Sequence, residues 1–288
     1  MTSFFCHEAA KDNKYNVIRD EPRFSQDKEF IEEMWSQYQP YADRHFLLES
    51  RKNFKQRIWE MYLTCSLIAK GFSITSDDKG PDIRISKEEV DIWIEAVAPK
   101  AGEKDDAVTE LQDRTTRRVP DDQIKLRYRS AIEEKYNTKY QKYLLNKIVK
   151  PNDCYIIAIN GSAIPSARRE SEIPRIIRSV LPFGNESLII NVEKHEVVDR
   201  LYQHQDQVKK VAGSSVSTDI FLNNQYDRIS AVLYSCVDAL NRPQEFGDDF
   251  VLLHNPLAKN KLERGLIKLG REYRVENSIL ECTNWVNQ

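Results

Sequence analysis

The chain has 288 residues, of which 40% are hydrophobic and 31% charged, and a formal net charge of −2. This is ordinary globular usage, which excludes a disordered chain and a membrane-spanning one, and the length suits one large α/β domain or two small ones. The N-terminal MTSFFCHEAAKDNKYNVIRD has no basic segment followed by an apolar run, so a cytoplasmic protein without a membrane partner is expected.

No internal repeat or low-complexity linker divides the chain, and a single α/β domain over 1–288 is expected. Residues 27–70 form its helical N-terminal region. IEEMWSQYQPY is broken by Pro40, and LLESRKNFKQRIWEMYLTCSLIAK spaces Phe54, Ile58, Met61, Cys65 and Ile68 along one helical face until Gly71 stops it. A core over 71–160 follows. FSIT (72–75), IRIS (83–86) and DIWIEAVA (91–98) have strand composition, and Pro99 ends the last of them. Residues 101–122 are polar and unpatterned, the signature of a long mobile loop. A helix from about Asp122 to Lys147 comes next, with Asp121 or Asp122 as N-cap.

CYIIAIN (154–160) is continuously apolar, the pattern of a strand buried on both faces, and belongs in the middle of a sheet. Residues 161–288 either extend that sheet or form a subdomain. Strands are expected at 187–192, 228–235 and 249–255, and helices around 172–180 and 194–212. Strands alternating with helices indicate a mixed sheet in an α/β layer architecture.

The five cysteines are widely spaced and never arranged as CxxC, so they are expected to be small buried apolar residues rather than disulfides or zinc ligands. The near-neutral charge disfavours nucleic acid, but it hides a local imbalance. From Gln123 to Lys150 eight Lys or Arg residues stand against Glu133 and Glu134, interleaved with Tyr128, Tyr136, Tyr140 and Tyr143.

The segment GPDIRISKEEVDIWIEAVAP puts Pro81-Asp82 on one strand and Glu95-Ala96-Val97 on the next, across a connection short enough for a hairpin. This resembles the bipartite signature of the PD-(D/E)XK, or restriction-endonuclease-like, nuclease superfamily. The resemblance covers about residues 54–150. It implies a restriction-endonuclease-like core, a central mixed β-sheet flanked by helices, here preceded by the helical region. It also implies that Asp82 and Glu95 bind Mg²⁺, or Mn²⁺ in its place, since hard oxygen ligands suit that ion. Many members take a further glutamate from the helix before the sheet. Glu60 matches by position and shares a helical face with Gln56, Thr64 and Leu67. The carbonyl of Ala96 is a further candidate ligand.

The signature's lysine position is occupied by Val97. Some related nucleases move that cation to a nearby helix, and Lys135, on the stripe of Ile124, Tyr128 and Ala131, is the first candidate. Arg127 is the second, Lys100 a third, and Gln123 a polar companion. The implied activity is metal-dependent hydrolysis of phosphodiester bonds in DNA, as an endonuclease or exonuclease, in a defence or mobile-element context. Arg114, Arg117, Arg118, Lys125, Arg129 and Lys139 would contact phosphates. A homodimer is a further expectation, because many such nucleases cut two strands as dimers. Two alternatives stand beside this: an inactive nuclease-like binding or scaffold protein, suggested by the missing lysine, and an RNA-directed nuclease. No GxxxxGK[ST], GxSxG or HExxH pattern supports an NTPase, a serine hydrolase or a zinc protease, and His7, His45, His195, His204 and His254 have no paired-ligand spacing.

Overall fold

The computed structural model describes residues 2–286 other than 77, 78, 88, 89, 113 and 278. Helices α1 (Asn13–Asp20) and α2 (Ser25–Tyr38) open the chain, and Pro40 lies in the 3₁₀ turn that ends α2. The continuous helix expected after it is two helices, α3 (Phe46–Ser50) and α4 (Phe54–Ala69). The break is imposed from outside the segment. Asp12 donates its N–H to the Arg51 carbonyl at 2.9 Å and accepts the Phe54 N–H on its carboxylate at 3.3 Å, tying the N-terminus to the start of α4. Gly71 ends α4 at φ +84°, a conformation that favours glycine.

Strands β1 (Ile74–Thr75), β2 (Ile83–Lys87) and β3 (Val90–Val97) follow as an antiparallel run, residues 88–89 lying outside the described ones. The loop after them is pinned by buried Val108, whose N–H bonds to the Ala101 carbonyl. Helix α5 (Asp121–Glu134) begins behind Pro120, so neither Asp121 nor Asp122 is the N-cap. Their carboxylates are used elsewhere: Asp121 pairs with Arg175 and Arg178, and Asp122 with Lys125. The helix continues through a π turn (Lys135–Tyr140) into α6 (Gln141–Leu145).

Beyond β4 (Cys154–Asn160) and the short α7 (Arg175–Arg178) come β5 (Phe183–Asn191), β6 (Glu196–His204), β7 (Gln207–Lys209) and β8 (Ser215–Ser217). The helix expected over 194–212 is therefore β6 and β7. Val197 and Val198 favour an extended chain, and pairing with β5 fixes it. The chain closes with β9 (Ala231–Ser235), β10 (Val251–His254), β11 (Arg271–Glu276) and β12 (Ile279–Asn284). The last two have no counterpart in the sequence reading.

Eight strands form one mixed sheet in the order β1-β2-β3-β4-β9-β10-β11-β12, with β3, β4 and β9 parallel. All seven residues of β4 are buried at its centre. Side-chain alternation divides the core into two. Ile92, Ile94, Ala96, Ile156, Ala158 and Leu233 pack with α4 and the N-terminal helices, whereas Trp93, Tyr155, Ile157, Ile159 and Tyr234 pack with α5. The pairs β5-β6 and β7-β8 lie outside this sheet. Cys65 and Cys154 are buried as expected, but Cys6 and Cys236 are half-buried and Cys282 is exposed. Among the described residues no helix is long and apolar enough to cross a membrane.

Gly270, at φ +57°, lets the backbones of β10 and β11 meet: a Cβ there would lie 2.1 Å from the Phe250 carbonyl oxygen. Gly270→Ala should cost more than about 1 kcal/mol, seen as a lower denaturant midpoint at unchanged slope. An unchanged midpoint would show that the close approach carries no strain.

Candidate functional site

Strand β2 begins at Ile83, opposite Ile94, so β3 has no strand beside it on that side from Glu95 onward. Backbone groups left open there need other partners. Asp82 Oδ2 accepts the Ala96 N–H at 2.7 Å, Gln56 Nε2 donates to the Ala96 carbonyl at 3.1 Å, and Gln56 Oε1 accepts the Ala98 N–H at 2.6 Å. One residue before β2 and one from α4 thus continue the ladder with side chains.

Glu95 sits between Trp93 and Val97 on the α5 face of β3 and is 3% exposed. Lys135 Nζ donates to its Oε1 at 2.7 Å and the Tyr143 hydroxyl to its Oε2 at 3.0 Å. Burial works against the Lys135 ammonium, but the charge and hydrogen bond of Glu95, with Asp82 beyond, outweigh it and hold Lys135 above the usual lysine range. Burial and the Glu95 charge push the Tyr143 phenol up.

Lys135 and Tyr143 reach one carboxylate because of the π turn. In an α-helix, residues eight apart overshoot two turns by about 80°. The π turn takes up one extra residue, so the pair is aligned as residues seven apart would be.

Glu60, 5% exposed on α4, accepts from Arg57 Nη1 at 2.6 Å and from Gln56 Nε2 at 2.8 Å. Burial raises its carboxyl above the ordinary range, against the pull of Arg57 and Gln56. Arg57 also stands 3.7 Å from Asp43 and 5.1 Å over the Phe46 ring, while its buried Nε has no partner among the described residues.

Asp82 is exposed, and its side chain faces a cleft of about 350 Å³ that Tyr38, Tyr41, Arg44, His45, Arg57 and Glu60 also line. Burial, then the charges of Glu60 and Glu95, raise Asp82 well above the usual carboxylate range, and the Ala96 N–H and Lys135 only partly offset them. Burial and the same acids, Glu60 and Asp82, raise Tyr38.

The fold therefore gathers Glu60, Asp82, Glu95, Lys135 and the Ala96 carbonyl around one strand end. The acids are held on separate clamps, Arg57 and Gln56 for Glu60, Lys135 and Tyr143 for Glu95. Among the described residues no three His, Cys, Asp or Glu side chains form a group that could hold a metal ion.

Arg127 is not part of the gathering. Its Nε donates to the Lys100 carbonyl at 3.0 Å, and it walls a second cleft of about 740 Å³ beside Val97 and Lys100. Two of the expected phosphate contacts are corrected. Lys125 is 1% exposed, bonded to Asp122 at 2.8 Å and to Gln205 at 2.9 Å; Arg129 is 5% exposed, bonded to Ser217, Tyr226 and Glu133. Residues 205–218 cover this face of α5, so its buried cations pair with partly exposed acids, a side-chain amide and a carbonyl instead of facing solvent. Arg117 is tied to Thr109, whereas Arg114, Arg118 and Lys139 are exposed.

Sequence reasoning missed Tyr143 and Tyr38. Tyr143 lies off the Lys135 stripe at α-helical spacing, and Tyr38 is far from the motif in the chain. No protein-family model, curated protein or solved structure matches the chain.

The raised Asp82 has a sign that can be tested. Between the ordinary carboxylate pKa and its raised folded value, Asp82 holds a proton in the folded chain that the unfolded chain has lost. Its contribution to stability is full below that window and falls as pH rises through it. Asp82→Asn, which keeps an acceptor for the Ala96 N–H, should melt above wild type at pH 8, with the difference closing toward pH 4. A difference that is constant with pH would contradict the raised value.

Proposed function

We propose that the chain is a metal-dependent phosphodiesterase with a restriction-endonuclease-like core, acting on DNA. The observation that carries this reading is the contact of Lys135 with Glu95 at the open end of β3, next to Asp82. It puts a cation where the signature's lysine is missing at Val97. The order α4, β1, β2, β3, α5, β4, with acids on α4, before β2 and on β3, supports it further.

The donor set suits a hard divalent cation: three carboxylates and a carbonyl, all oxygen. Desolvation raises Asp82 first and the charges of Glu60 and Glu95 second; a bound cation would offset both. Glu60, Asp82, Glu95 and the Ala96 carbonyl would hold Mg²⁺ or Mn²⁺. When bound, that ion would neutralise charge on a phosphate and lower the pKa of an attacking water.

The remaining work falls to the chain's own side chains. Gln56 fixes the Ala96 carbonyl and the adjoining peptide, and Tyr143 fixes the rotamer of Glu95. Lys135 brings positive charge to the edge of the acid group, where charge develops on phosphate oxygens. Arg57 lines the cleft beside Asp82, so a phosphate entering there meets a guanidinium as Glu60 turns from it.

A second reading has its own observation. Glu60 and Glu95 already have cationic partners and no metal-holding group is assembled, which is also how a binding protein on a nuclease-like fold would look.

Cleavage of linear, circular and single-stranded DNA and of RNA with Mg²⁺ or Mn²⁺ separates the two. Asp82→Ala and Glu95→Ala should each lower turnover by at least ~100-fold, the upper end of what supporting residues cost. Cleavage of no substrate, or cleavage indifferent to both substitutions, would sink the enzyme reading. Lys135→Met should reduce turnover ~10- to 100-fold with Mn²⁺ affinity by calorimetry nearly unchanged, and Tyr143→Phe about 10-fold. If the Lys135 variant turns over at the wild-type rate, Lys135 has no part in the chemistry.

A further inference from the structure

The β5-β6 hairpin is the least buried part of the fold. Leu188, Ile189, Ile190, Val192, Val197, Val198 and Leu201 are between 44% and 79% exposed, seven of the fifteen large exposed hydrophobics among the described residues. Such clustering marks a contact surface, whereas scattered exposed aliphatics do not. Among the described residues the hairpin is anchored at its base. The Phe183 and Tyr202 rings, 6.2 Å apart edge to face, pack against the core, and Gln205 donates its N–H to the Pro182 carbonyl at 2.9 Å. Its register puts Leu188, Ile190 and Val197 on one face and Ile189 and Leu201 on the other, so neither face is an ordinary polar outer face. A two-stranded ribbon of this kind is marginal by itself in water.

The two edges differ. β6 is interrupted opposite the step from Ile189 to Ile190, where Val198 is the extra residue, and its sequence carries charges at 196, 199 and 200. Bulges and charges are how edge strands resist further pairing. β5 has neither device over its outer half. Residues 187–191 are Ser-Leu-Ile-Ile-Asn, uncharged, with no extra residue of their own, and paired to β6 on one side only. The run has the same character in both directions: polar, three aliphatics, polar.

We infer that the outer edge of β5 pairs antiparallel with the same edge of a second copy of this chain, about a two-fold axis through Ile189. In that register Ile189 meets Ile189 of the second copy, Leu188 meets Ile190, and Ser187 meets Asn191. A two-fold axis sets a residue against itself, so a strand that self-pairs must be uncharged near its centre. β5 meets that condition and β6 does not. The product is a four-stranded sheet in which Leu188 and Ile190 of both copies form one apolar patch. Nucleic acid is a poor occupant, because 186–199 holds four acids against one lysine. The inference is independent of the metal reading.

The full chain, measured by light scattering during size exclusion across the micromolar range, should show twice 33.7 kDa. Ile189→Lys, which opposes two ammonium groups at the axis, should return it to the monomer mass, and Val198→Lys on the other edge should leave the dimer intact. Ile189→Cys should form an intermolecular disulfide on mild oxidation, since directly opposed residues in a ladder lie within disulfide range. Val192→Cys, six residues from its own mate, should give no more than wild type with its exposed Cys282. A monomeric wild type overturns the inference and leaves the edge to a different chain. A dimer that survives Ile189→Lys, or that Val198→Lys also dissolves, overturns it as well. Circular dichroism matching wild type confirms that each exposed-site variant is folded.

Discussion

The peptide group of Ala96 is where the sheet's own hydrogen bonding runs out. On one side β3 remains paired to β4, which keeps the strand rigid to its end. On the other side β2 has not yet begun, and a buried N–H and C=O must be satisfied by something else. Asp82 and Gln56 do this, and everything distinctive about the site follows. An acid is turned toward the strand end to accept an N–H, a glutamine from α4 is held in place with Glu60 beside it, and Glu95 stands next in line on the same strand. A carboxylate recruited for a structural hydrogen bond is thereby placed against two others, and desolvation together with their charges raises its pKa.

The motif half of this was legible in the chain. Asp82 stands out as the Pro81-Asp82 half of the motif, Glu95 because an acid inside IWIEAVA is costly to bury unless it has a partner, and Lys135 because an ammonium interrupts an apolar helical stripe. The last two are local irregularities against a periodic background, and the fold joins them. Glu60 was visible for the same reason, and so was its tie to Arg57, three residues before it. Tyr143 was not, because its alignment depends on a helix that departs from its regular pitch. Tyr38 was not, because nothing local in a sequence reports proximity across more than forty residues.

The basic stretch from Gln123 onward illustrates the opposite failure. Eight cations over Gln123–Lys150, six of them on one long helix, read naturally as a solvated or phosphate-facing surface, but a helix of this length has several faces and the chain returns to cover one of them. Lys125 and Arg129 are buried by residues 205–218, a segment whose first strand, β7, was read as helix. The two errors are one error: with 194–212 taken as helical, nothing was left to lie over α5. Strands β11 and β12 escaped for a simpler reason, since their alternation of apolar and charged residues is weak and their pairing is mostly with each other.

The π turn at Lys135–Tyr140 acts as a phase shifter. Ahead of it, Ile124, Tyr128 and Ile132 set the angle at which the helix meets the sheet; behind it, Tyr140 and Tyr143 set a different angle, one residue out of step. A single continuous helix can then satisfy two parts of the core whose spacing does not fit its pitch. The carboxylate of Glu95 is gripped across that shifter, by one side chain from each end of it. Relaxing the turn by one residue would rotate Tyr143 by about 100° relative to Lys135, so the ammonium and the phenol share one carboxylate only while the turn keeps its extra residue.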